Sequence, residues 1–179
     1  IMGKAIFLDR DGVINKDLGY VYKIEDFIFF KGVFEALKIF KKMGYSIIIV
    51  TNQSGIARGY FSDAEYQLLT REYLKILFDN GIEITACYHC PHHPDFSAIP
   101  YNNCECRKPN KGMFTKAIKE FNLDVNNSIA IGDKIRDLKP AHDLGILKKY
   151  LISSTVIKDN EIITKTFNSL IDCAQYVSN

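Results

Sequence analysis

Short apolar runs alternate along the chain with stretches whose apolar positions recur every three or four residues. Residues 5–8 ("AIFL") and 46–50 ("SIIIV") read as strands, the second apolar enough to be buried on both faces. Residues 84–88, 128–131 and 149–152 complete the set. Between them, residues 33–43 carry Val33, Phe34, Leu37 and Phe40 at helical spacing and stop at Gly44. The next helix opens on Ser62-Asp-Ala-Glu65, a capping box in which a hydroxyl takes a free amide and a carboxylate reaches back. It is expected to run to Asp79 and end near Gly81. Residues 112–121, 138–144 and 170–177 read as shorter helices. Continuous apolar strands separated by helices predict an α/β fold: a Rossmann-like, doubly wound, mostly parallel sheet with helices on both faces, in one domain over residues 1–179. Residues 90–110, rich in Pro, His, Cys and Asn, fit no element and read as a long ordered loop, which usually has a functional reason.

Composition narrows the partners. Hydrophobic residues make up 47% and charged residues 25% of the 179, a globular balance. Lys and Arg total 23 against 21 Asp and Glu, and a net charge of +2 gives no general case for nucleic acid or membrane. The apolar runs are far too short to span a bilayer, and no charged-then-apolar leader is visible. The expectation is a cytoplasmic monomer acting on a small molecule. Of five cysteines, Cys90, Cys104 and Cys106 cluster, whereas Cys87 and Cys173 read as buried hydrophobes.

Three predicted strands hand over directly to polar residues. Leu8 is followed by Asp9, Val50 by Thr51 and Asn52, and Ile131 by Gly132 and Asp133. Ligands of open parallel sheets bind beyond the carboxyl ends of the strands, so these groups converge on one rim. In "DRDG", Asp9 and Asp11 lie two apart and share a face of an extended backbone. Two carboxylates so close are tolerable with a cation between them or with one protonated. With Asp133 they form an oxygen-only set that suits magnesium. A calcium loop fails on spacing: counted from Asp9, Val13, Ile14 and Tyr20 fall where an oxygen ligand, a glycine and a glutamate belong. Gly55 and Gly59 do not make a dinucleotide fingerprint, and no P-loop is present. Cys90-x-His92 and Cys104-x-Cys106 offer three thiolates and an imidazole, a tetrahedral zinc set, although the spacings are shorter than zinc-finger pairs. His93 is an alternative ligand, and a loop of free thiols is the bland reading.

Asp9-x-Asp11-Gly12-x-Ile14, Thr51-Asn52-Gln53-Ser54, Lys108-Pro109 and Gly132-Asp133-Lys134-x-x-Asp137, in that order, resemble the haloacid dehalogenase superfamily of phosphotransferases. "DRDGVIN", "GYV", "TNQSGIARG", "CPHHP", "CECRKP" and "IGDK" narrow the resemblance to its heptose bisphosphate phosphatase family, over roughly residues 5–150. The resemblance implies a sugar bisphosphate substrate and an aspartyl-phosphate on Asp9. It makes Asp11 the acid and then the base, a role that calls for a raised proton affinity, expected from the neighbouring Asp9. It places magnesium on the Asp9 carboxylate, the Asp11 backbone carbonyl and Asp133, and zinc on Cys90, His92, Cys104 and Cys106. Thr51 and Lys108 would stabilise the phosphoryl group. Asp17, Gly19, Tyr20, Thr51, Asn52, Gln53, Ser54 and Arg107 would bind substrate, and Asp137 would orient Lys134 or the metal site or merely cap a helix. So little chain separates these motifs that the cap is expected to be minimal. The nearest rival is the histidinol-phosphate phosphatases, which share the aspartates and the zinc loop. A zinc-stabilised interaction module without activity has no need of the whole set.

Overall fold

The computed structural model describes residues 2–179. Its strands are β1 (Ala5–Leu8), β2 (Ser46–Asn52), β3 (Ala86–Cys90), β4 (Ile129–Gly132), β5 (Lys148–Ile152) and β6 (Lys165–Phe167). They form one parallel sheet in the order β3-β2-β1-β4-β5-β6. The helices are α1 (Val33–Lys42), α2 (Asp63–Asp79), α3 (Gly112–Phe121), α4 (Ile135–Asp143) and α5 (Leu170–Ser178).

Alternation along each strand divides the core in two. Ile6 and Leu8 of β1, with Ile47 and Ile49 of β2, pack under α1, α2 and α5 through Leu37, Phe40, Tyr73 and Cys173. Ala5 and Phe7, with Ile48 and Val50, face α3 and α4 through Phe114, Ala117 and Leu138. This is the doubly wound arrangement, with its switch point where β1 lies between β2 and β4. Leu8 pairs with both Ile49 and Ile131, so the three central strands end at one level. Asp9, Thr51 and Asp133 therefore emerge together. No helix among the described residues is long and apolar enough to cross a membrane.

Several boundaries differ from the sequence expectation, each for a local reason. β2 continues through Thr51 and Asn52 because these pair with His89 and Cys90 of the edge strand. β3 itself is shifted by two residues and ends on Cys90, so the first thiol of the loop is anchored in the sheet. α4 begins at Ile135, a turn before the expected 138, because the Asp137 carboxylate accepts from the Lys134 amide at 3.0 Å and closes the helix start. β6 was not expected: three residues, "KTF", carry no apolar run. α2 starts as its capping box predicts, with Ser62 Oγ accepting from the Glu65 amide at 3.1 Å.

Candidate active site

At the end of β1, the Asp9 carboxylate accepts from the Arg10 amide at 2.9 Å and from Lys108 Nζ at 3.1 Å. Lys108 is 1% exposed, and its ammonium also meets the Val50 carbonyl at 2.7 Å and Asp137 Oδ1 at 2.8 Å. Burial opposes the charge on Lys108, but Asp137 and Asp9 outweigh it and raise its proton affinity. Burial likewise opposes the Asp137 carboxylate, and Lys108 more than offsets this, so Asp137 is lowered. Asp9 is left crowded. Burial, then Asp137, raise its pKa; Lys108 opposes them, and Asp133 and Asp11 add to the rise.

A divalent cation would relieve that crowding, and the residues fit one. Oxygens of Asp9, Asp133 and Asp137 lie within 4.8 Å of one another. Asp133 Oδ1 is buried without a hydrogen-bond partner. Gly12, at φ +86°, leaves the space that the Asp133 carboxylate enters; a Cβ there would collide with it.

Asp11 turns the other way. Its carboxylate accepts from Arg10 Nη2 at 2.9 Å, Asn15 Nδ2 at 2.9 Å and Gln53 Nε2 at 3.1 Å. Of the two carboxyls, Asp9 is the one crowded by burial and by Asp137, whereas Asp11 is ringed by these three donors. Gln53 Nε2 also donates to Thr51 Oγ1 at 2.9 Å, leaving the Thr51 hydroxyl hydrogen free. The Asn52 amide, expected to bind substrate, accepts from the Lys108 N–H at 2.9 Å and donates to the Lys108 carbonyl at 3.0 Å.

Above these groups opens a cavity of about 360 Å³, lined by Asp9, Asp11, Asn52 and Gln53. The expected Asp17, Gly19, Tyr20, Ser54 and Arg107 also line it. Thr51 and Lys108 lie beneath, 1% exposed each. Arg58 and Arg136 also stand in the wall, with Lys134, Asp137 and Gly55. None of Arg58, Arg107 and Arg136 has a carboxylate partner among the described residues. Burial first, then Arg136, lower the Arg107 affinity, so the guanidiniums feel one another.

The loop between β3 and α3 gathers the other cluster. Cys90 Sγ lies 3.6 Å from Cys104 Sγ and 2.6 Å from Cys106 Sγ; His92 Nδ1 lies 3.5 Å from Cys106 and 3.9 Å from Cys90. Thiolates about 2.3 Å from a central zinc stand about 3.7 Å apart. Three of these four distances match such a tetrahedron closely, and an ion would hold the Cys90–Cys106 pair apart. The close contact with Cys90 lowers the Cys106 thiol and raises that of Cys90, so the pair shares one proton, which a bound metal ion would displace. His93 faces Arg58 Nη2 at 3.2 Å, away from the thiols.

The family model for polynucleotide kinase 3 phosphatase matches residues 5–150. A D-glycero-beta-D-manno-heptose-1,7-bisphosphate 7-phosphatase from Haemophilus ducreyi is 43% identical over 180 residues, 98% of each chain. A D-glycero-alpha-D-manno-heptose-1,7-bisphosphate 7-phosphatase from Photorhabdus laumondii is 45% identical over 153 residues, 84% of this chain and 83% of that one. The chain belongs to the heptose bisphosphate phosphatase family. It is a phosphomonoester hydrolase of haloacid dehalogenase type. The D,D-heptose 1,7-bisphosphate phosphatase of B. bronchiseptica, solved with magnesium and phosphate, superposes with TM-score 0.83 at 28% identity, over 97% of both chains. For this family member, sequence reasoning missed the supporting residues Arg10, Asn15, Arg58 and Arg136. Their signals were present but bland: an arginine between two aspartates, an asparagine ending "GVIN", and two lone arginines.

Proposed function

We propose that the chain removes the 7-phosphate of D-glycero-D-manno-heptose 1,7-bisphosphate, leaving heptose 1-phosphate for nucleotide-heptose synthesis. An Asp9 oxygen attacks phosphorus and the bond to the sugar O7 breaks, Asp11 giving that oxygen its proton. Water then attacks the aspartyl-phosphate, Asp11 takes its proton, and inorganic phosphate leaves. Lys108 and the Thr51 hydroxyl hold the transferring oxygens, with Asn52 fixing Lys108. The Asp9 carboxylate, the Asp11 backbone carbonyl and Asp133 would hold magnesium, which when bound supplies positive charge to those oxygens. Cys90, His92, Cys104 and Cys106 would hold zinc in a closed, structural set. We read the protein as a monomer of one domain, residues 1–179, in the cytoplasm, a reducing compartment in which a cluster of cysteines more often serves a metal than a disulfide.

The observation that carries the substrate class is the cavity wall. A nucleophile lies at one end, and three guanidiniums without carboxylate partners stand around it. That wall suits a second phosphate on the sugar. It disfavours histidinol phosphate, whose far end is a cation. The test is phosphate release, with magnesium, from both anomers of the heptose bisphosphate and from histidinol phosphate, by wild type and Asp9→Asn. The bisphosphate is expected to lead in kcat/KM by about 10²-fold or more, and Asp9→Asn to lose about 10³-fold. Equal or faster turnover of histidinol phosphate refutes the substrate, and an unimpaired Asp9→Asn refutes the nucleophile.

A further inference from the structure

Arg10 stands in the bend between the two aspartates, just past the end of β1, and its side chain lies beside that of Asp11. It is 0% exposed. Its fork grips Asp11, with Nη2 at 2.9 Å from Oδ1 and 3.1 Å from Oδ2, and Nε at 3.3 Å from Oδ1. The same Nη2 donates to the Val21 carbonyl at 2.9 Å. Beneath lies the Phe27 ring, 5.8 Å from the guanidinium carbon and itself stacked on Tyr73 at 4.6 Å. Nη1 is buried with no partner.

Stability gives no reason for this charge. A buried guanidinium is costly to desolvate, and an apolar side chain of similar volume would pack on Phe27 at least as well. What the arginine adds is a rigid planar link between two points. One is Asp11. The other is the backbone just after Asp17, Gly19 and Tyr20, which line the cavity. We propose that Arg10 is a positioning residue that registers the Asp11 carboxylate against the loop 17–22, so that a sugar seated on that loop presents its leaving oxygen to Asp11. The inference rests on the reading of Asp11 as the proton carrier.

Leaving-group chemistry separates positioning from mere support. A sugar alkoxide needs a proton to depart, whereas p-nitrophenolate does not. In single turnover, where the shared hydrolysis of the aspartyl-phosphate does not enter, release of heptose 1-phosphate by Arg10→Met is expected to slow about 10²-fold, with release of p-nitrophenolate changing by less than about threefold. Arg10→Lys, which keeps the charge and loses the fork, is expected to show the same split at about tenfold. It serves if the methionine variant does not fold. Equal losses on both substrates, or no loss on either, overturn the inference. Asp11→Asn is run alongside. If it lacks the split, the proton-carrier reading falls and this inference with it. If it shows the split and the arginine variants do not, this inference alone falls.

Discussion

Lys108→Met removes one positive charge from the floor of the site and little volume. The ammonium lies 3.1 Å from Asp9 and 2.8 Å from Asp137. At 3.1 Å a unit charge is worth on the order of 5 kcal/mol toward an anion at an effective dielectric of about 20. Two effects follow, and they must be told apart. Without its partner Asp137 is a buried carboxylate, and breaking such a pair costs about 3–5 kcal/mol of stability. Loss of a fixed donor beside the transferring group costs about 10²–10³ in kcat. Adding Asp137→Asn removes the orphaned charge and leaves an oxygen for the Lys134 amide. The double variant is expected to recover stability to within about 1 kcal/mol of wild type in urea unfolding, because neutral replacement of a buried pair is often nearly free. Its kcat is expected to stay down by about 10²-fold. A double variant that regains turnover along with stability would show that Lys108 merely balances Asp137, and the phosphoryl role would be wrong.

Gly12→Ala places a methyl against the Asp133 carboxylate at a φ of +86°. The magnesium concentration for half-maximal rate should rise by about tenfold or more; an unchanged magnesium titration sinks that account. Stripping zinc with a selective chelator should lower kcat and the melting temperature, while half-activation by magnesium moves by less than about twofold. Full turnover by a folded, zinc-free sample contradicts it. Asn52→Ala deletes two hydrogen bonds to the Lys108 backbone, at 2.9 and 3.0 Å. At about 1 kcal/mol each, kcat should fall about tenfold to thirtyfold with a smaller change in KM. An effect confined to KM would mean that Asn52 touches substrate after all.

Much of the fold was legible because its signals are local. The "SIIIV" run, the Ser62–Glu65 cap and the glycine stops each depend on a few neighbouring residues. β6 escaped because an edge strand of three residues takes its hydrogen bonds from β5 and needs no apolar run. The rim residues were readable from their position at strand ends. Their partners were not, since direction is a tertiary property. Nothing local tells whether Arg10 points to solvent or under the floor, or that Asn52, in the cavity wall, also clamps a residue 56 positions away. The balance of charge was equally hidden. The crowding of Asp9 comes first from its burial and then from Asp137, with which it shares Lys108.

The buried polar set also argues against an inert module and ties the two metal clusters to different steps. Lys108, Arg10, Asp137, Thr51, Gln53 and Asn15 are all buried around one rim. Apolar residues would hold such a fold equally well, so their gathering makes sense only around a charged ligand. The loop that carries Lys108 leaves the sheet at Cys90, which pairs with Asn52 in the β2–β3 register. It returns at Lys108, whose peptide the same Asn52 clamps. Both ends of the excursion are thus pinned to one residue, and the thiol and imidazole ligands draw in the chain between them. Asp133 belongs to β4 and α4, outside that closed loop. Loosening the thiol cluster therefore displaces the ammonium while β1 and β4 still hold Asp9 and Asp133 in place, which is why zinc loss should appear chiefly in kcat and only slightly in the magnesium titration.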